Sequence, residues 1–136
     1  MTDNVQAPAP QVWPSLWAND APALIRFLVE AFGFEEVVTY RDGDVVQHCQ
    51  LDWPPGGGIM LGSARDDPGN PWRLTPGTFG AYVVSDDIDA LHARAAKAGA
   101  EILREPSGTD YGSRDFMARD PEGNLWSFGT YRGEKR

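Results

Sequence analysis

The feature that most constrains this chain is a repeat inside it. Asn19 or Asp20, followed by Pro22, opens one amphipathic segment that closes at Gly33, and Asp86 or Asp87 opens another that closes at Gly99. Asp20 to Gly33 spans 13 positions, as does Asp86 to Gly99. An Asp or Asn can cap the first amides of a helix, Pro is tolerated in its first turn, and Gly ends it in a left-handed conformation. Between these marks Leu24, Ile25, Leu28, Ala31 and Phe32 recur at helical spacing, as do Ile88, Leu91, Ala95 and Ala98. A shift of 66 also lays Glu35 on Glu101, and Ile59-Met60-Leu61 on Leu125-Trp126-Ser127.

Strand patterns surround both helices. Residues 12–18, 36–40, 45–53 and 59–63 read as strands, with Asp42-Gly43 as a hairpin turn and Pro54 to Gly58 as a loop. Pro14 gives the first strand an edge position. After a Pro- and Gly-rich linker at 64–77, strands recur at 78–85, 100–105, 112–119 and 124–131. The predicted fold is α+β: two pseudo-repeated βαβββ modules, 12–63 and 78–131. A half-buried sheet cannot close alone, so the two pack together. Residues 1–11, polar and rich in Pro and Ala, are expected to form a mobile tail, and 132–136 a second tail.

Composition narrows the function. With 136 residues there is room for one compact domain. The formal net charge of −8 and the lack of a Lys/Arg cluster argue against nucleic acid and against anionic membrane surfaces. The lone Cys49 excludes an internal disulfide and a CxxC zinc site. No signal-peptide pattern opens the chain and no apolar run approaches a membrane span, so the expected location is cytoplasmic.

Three segments carry a resemblance. Arg119-Asp120-Pro121-Glu122-Gly123-Asn124-Leu125-Trp126-Ser127-Phe128 resembles the DP(D/E)GN turn and final strand of the glyoxalase/bleomycin-resistance/dioxygenase superfamily, also called vicinal-oxygen-chelate proteins. Phe32-Gly33-Phe34 is similar to that family's LGF or FGF, and Ser85-Asp86-Asp87-Ile88-Asp89 to its helix-two opening. The resemblance implies that the modules curl into a curved mixed sheet around a ligand cup, usually in a homodimer. It further implies that metal-dependent members draw ligands from the first and last strands of each module. By position these sites are Trp13, Phe79 or Gly80, Leu61 and Ser127. None is His, Asp or Glu, the residues that divalent metals need. Neither a metal site nor a cofactor is therefore expected.

Strand alternation then selects the cup wall. Trp13, Ser15 and Trp17 share one face of the first strand. Leu125, Ser127, Gly129 and Tyr131 share one face of the last, which leaves Trp126 and Phe128 for the core. Tyr82, His48 and Arg114 complete the candidate ligand-binding set. His48 is the best candidate general base and Arg114 a candidate partner for an anionic group. Trp53 and Trp72 flank loops and are candidates for a rim or for loop anchors. The leading expectation is a metal-independent protein that binds and sequesters a small aromatic or amphipathic molecule. Its alternatives are an enzyme of the same fold, a lyase, isomerase or dioxygenase, and a protein-interaction module.

Overall fold

The computed structural model describes residues 9–135; the expected mobile tail at 1–11 falls largely outside the described residues. The first module runs β1 (Ser15–Ala18), α1 (Ala21–Phe27), a π-helical turn (Leu28–Phe32), β2 (Glu35–Asp42), β3 (Val45–Asp52) and β4 (Gly58–Ser63). The second runs β5 (Gly80–Val84), α2 (Ile88–Lys97), β6 (Glu101–Gly108), β7 (Arg114–Arg119) and β8 (Leu125–Gly129). Each module forms a four-stranded mixed sheet, in the orders β1-β4-β3-β2 and β5-β8-β7-β6. The parallel pairs are β1 with β4 and β5 with β8. This is the predicted α+β pair of βαβββ modules. Strand β1 starts after Pro14 at a sheet edge, and Pro106 lies in edge strand β6, where a missing N–H costs no ladder bond.

Both helices begin as their punctuation dictates. Asp20 Oδ1 accepts the Ala23 amide at 3.2 Å and Asp87 Oδ1 accepts the Ala90 amide at 3.1 Å. Gly33 and Gly99 follow the helices at φ 88° and 92°. The true caps, Asp20 and Asp87, stand 67 positions apart, whereas the closing glycines stand 66 apart. The first helix therefore holds one residue more. The π-helical turn absorbs it, since a π turn accommodates one extra residue within an α-helix.

One core joins the modules. Phe32, from the π turn, packs against Trp126 at 5.7 Å and Phe128 at 4.7 Å between ring centroids. Phe116 stacks on Phe128 at 5.0 Å. Leu24, Leu28, Leu51, Ile59, Ile88 and Ala95 close around these rings. Burying an aromatic side chain of this size contributes on the order of 2–3 kcal/mol each. Among the described residues no helix is long and apolar enough to cross a membrane.

Candidate functional site

The tight turn after β7 sets the geometry. Asp120 is nearly buried, and its carboxylate accepts the amides of Glu122 and Asn124 at 2.9 and 3.0 Å. It also accepts Asn124 Nδ2 and the Trp126 indole N–H, both at 2.9 Å. Asn124 Oδ1 in turn accepts the Phe79 amide at 3.0 Å, which ties the start of β5 to the turn. This buried carboxylate has all its acceptor sites engaged, so it orders the turn rather than destabilising the interior.

Strand register divides each sheet into a helix face and an open face. In module one Leu16 pairs with Leu61, and both are buried under the helix. Ser15 pairs with Met60 and Trp17 with Gly62, on the open face. Ser15, Trp17, His48, Met60, Arg65 and Trp72 line a cavity of about 200 Å³ there. Trp17 is nearly buried, Trp72 stands exposed at the rim, and the His48 imidazole stacks on Tyr40 at 6.1 Å. Trp13 precedes β1; its indole N–H donates to the Pro10 carbonyl at 3.0 Å and its ring edge lies against Gly58.

In module two Tyr82 pairs with Ser127, and Ser127 with Met117, across the open face. Tyr82, Tyr111, Tyr131 and Glu134 line a second cavity of about 450 Å³. Tyr111 and Tyr131 meet at 5.4 Å with planes at 76°. Tyr82 donates to the Tyr131 carbonyl at 2.8 Å, Tyr131 to Glu134 at 3.0 Å, and Tyr111 to Asp115 at 3.3 Å. Asp115 is 7% exposed and also bonds the Ser113 hydroxyl. Burial holds the Tyr82 phenol above its ordinary pKa, and the bond to Glu134 does the same for Tyr131. Gly129 makes room for this cluster: a Cβ there would overlap the Asp115 carboxylate and the Tyr82 hydroxyl.

The register corrects one expectation about equivalent positions, Leu61, and decides another that stood open between Phe79 and Gly80. The matching sets are Trp13, Ser15 and Met60 in module one, and Gly80, Tyr82 and Ser127 in module two, each 67 apart. Met60, not the buried Leu61, therefore faces the cup, because a one-residue slip turns every side chain to the opposite face. Gly80 rather than Phe79 matches Trp13, since the Phe79 ring packs against Trp126 at 5.6 Å. The four register positions thus hold Trp13, Met60, Gly80 and Ser127. An indole, a thioether, a bare backbone and a hydroxyl do not fit a hard divalent metal. Among the described residues no three His, Cys, Asp or Glu side chains gather as a metal-holding group.

Arg114 does not border the cup. It shares the helix face of β7 with Phe116 and Ala118, and pairs with Asp89 of α2 through bonds of 2.8 and 3.0 Å. The neighbour on the open face is Asp115. Trp53 anchors the modules to each other: its indole N–H donates to the Val84 carbonyl at 3.0 Å and its ring packs on Phe34. It also walls a cavity of about 340 Å³ at the module seam with Ile59, Tyr82 and Val83. The eight candidate residues therefore divide. Ser15, Trp17 and His48 meet in one half of the cup, Tyr82, Ser127 and Tyr131 in the other, Trp13 at a strand entry and Arg114 outside. Tyr111 and Asp115 are the residues that sequence reasoning missed. The sequence carries no signal for either: Phe116, Met117 and Ala118 are all apolar, so alternation does not fix the face of Asp115, and Tyr111 lies in a loop.

Two modules, each with an open aromatic face, define an α+β fold of paired curved sheets. Residues 11–128 match the Glyoxalase/Bleomycin resistance protein/Dioxygenase superfamily, and the chain belongs to it. An uncharacterized protein of Mycobacterium tuberculosis is 31% identical over 127 residues, covering 88% of this chain and 74% of the relative. The crystal structure of TioX from Micromonospora sp. ML1 superposes with a TM-score of 0.76 at 25% identity, over 91% of this chain and 100% of that one. A family enzyme from Burkholderia phytofirmans shares the fold with a TM-score of 0.68 at 21% identity, covering 86% and 94%.

Proposed function

We propose that the protein binds and sequesters a small aromatic or amphipathic molecule in its cup, without a metal ion and as a homodimer. One observation carries this reading. The open faces hold Met60, Gly80 and Ser127, none of them a hard-metal ligand, while Trp17, Trp72 and three tyrosines wall the two cavities. Such a surface holds planar ligands by stacking, with a few polar groups to orient them. In a single chain both half-cups stand open, with Tyr40 and Leu125 exposed, which supports pairing with a second copy. Sedimentation velocity tests the pairing: a dimer is expected, and a monomer at high concentration counts against it.

Binding is tested by titrating the protein with neutral planar aromatics such as 2-naphthol in the presence of a chelator, following tryptophan fluorescence. Saturable quenching that drops at least tenfold in affinity in Trp17→Ala is expected. Absence of saturation across a broad aromatic panel would overturn the reading. The enzymatic alternative retains one supporting observation, the placement of His48 in the module-one cavity. It predicts a reaction lost in His48→Ala, and turnover unchanged by that substitution would exclude His48 as base.

A further inference from the structure

We propose that the tyrosine cavity of module two is a cage for an organic cation, a ligand group of the quaternary or tertiary ammonium class. This inference rests on the small-molecule reading above and specifies the charge of what enters this half of the cup. Tyr111 and Tyr131 form two walls nearly at right angles, and Tyr82 a third. All three phenols spend their protons on acceptors: Tyr82 on the Tyr131 carbonyl, Tyr111 on Asp115 and Tyr131 on Glu134. No hydroxyl of the cage is left to donate to an anion. The aromatic walls offer electron-rich faces, and donation to carboxylates enriches them further.

The charge around the cavity points the same way. Asp115, which accepts the Tyr111 hydroxyl, is 7% exposed. Among the described residues neither Asp115 nor Glu134 takes part in an ion pair. The nearest arginines in sequence are occupied elsewhere: Arg114 with Asp89 and Arg132 with Asp86. Lys135 adjoins Glu134 in sequence and, among the described residues, makes no ion pair either. A carboxylate withdrawn from water without a countercharge is costly, and a bound cation supplies that charge. The net charge of −8 adds long-range attraction for cations.

The test uses the full chain and two isosteres, choline and the neutral 3,3-dimethylbutan-1-ol. Each is titrated into labelled protein while backbone amide resonances are followed. Saturable choline shifts clustered at Tyr82, Tyr111 and Tyr131 are expected. Choline should bind at least about fivefold more tightly than its isostere, the scale of a cation–π contact. Tyr111→Leu, a change at an exposed side chain, should remove that preference while leaving the remaining spectrum intact. Equal affinity for the two isosteres, or no saturable choline shift at high-millimolar concentration, overturns the cage. Quenching by 2-naphthol, measured on the same samples, separates the two claims. If it persists while choline fails, only the cage falls; if both fail, the binding reading falls with it.

Discussion

The Glu122 carboxylate accepts the backbone amide of Asp20 at 2.8 Å, although the two residues belong to different modules. Its other oxygen accepts the Asn19 amide at the same distance, so a turn of module two holds the start of α1 in module one. At the far end Arg94 of α2 donates to the carbonyls of Glu30 and Val29 at 2.8 and 3.1 Å. Module two thus places an anion at the positive end of the first helix and a cation at its negative end, both favourable to the helix dipole. Replacing Glu122 by Ala should cost about 1–2 kcal/mol by loss of the two acceptors. Urea unfolding followed by tryptophan emission measures this. A change within experimental error would mean that water replaces the carboxylate without loss.

Gly129→Ala tests the packing beneath the tyrosines. The new methyl overlaps the Asp115 carboxylate and the Tyr82 hydroxyl, and both are held in place by hydrogen bonds, Asp115 by Ser113 and Tyr111 and Tyr82 by the Tyr131 carbonyl. A loss of about 1–3 kcal/mol is expected from overpacking. Amide shifts at Tyr82, Ser113 and Tyr131 should accompany it. Wild-type stability in this variant would show that the cluster is looser than described.

Cys49 is fully buried on β3, and burial pushes its thiol pKa above the ordinary value, against the hydrogen bond from Thr39. The reactive thiolate is therefore scarce and inaccessible. Ellman's reagent should modify the native protein only at the rate of unfolding, and at once in denaturant. Rapid labelling of the native state would contradict this burial.

Acid should weaken the tie between α2 and β7. The Arg114 guanidinium holds the Asp89 carboxyl below the usual carboxylate range. A depressed folded pKa contributes stability that is fully present above the unfolded value of about 3.9 and is lost as pH falls through the folded one. The stability gap between the wild type and Asp89→Asn should be constant from about pH 7 to 5 and shrink below about pH 4. The pair is exposed, so added salt should also narrow the gap. Thermal melts across pH measure both effects, and a gap independent of pH would remove Arg114 as the cause.

The helices were legible because their signals are local. Asp20, Asp87, Gly33 and Gly99 act on backbone within a turn of themselves, and each does what its residue type implies. The Asp120 turn was legible as a motif, although its purpose, four hydrogen bonds converging on one buried carboxylate, required the fold. Sheet faces were harder. Leu61 and Met60 are both apolar, so composition does not say which one turns inward; the β4 register does. Arg114 was misplaced for a related reason. Its strand carries apolar residues on both faces, and only the burial of Phe116 and Ala118 fixes the parity. The pairing of Tyr111 with Tyr131 joins a loop to the C-terminal segment, and no periodicity links such positions.

The π turn at Leu28–Phe32 has a consequence for how the two halves can be exchanged. They are not interchangeable parts. A copy of the second helix set in place of the first would arrive one residue short, and each residue turns a helix by about 100°. The place of Phe32, before the closing glycine, would hold Ala98 instead, and the surface shared by the modules would lose the ring that packs on Trp126 and Phe128. The wide turn acts as a key cut on one half only, so a symmetric ancestor or a redesigned tandem of identical halves would need another means of docking.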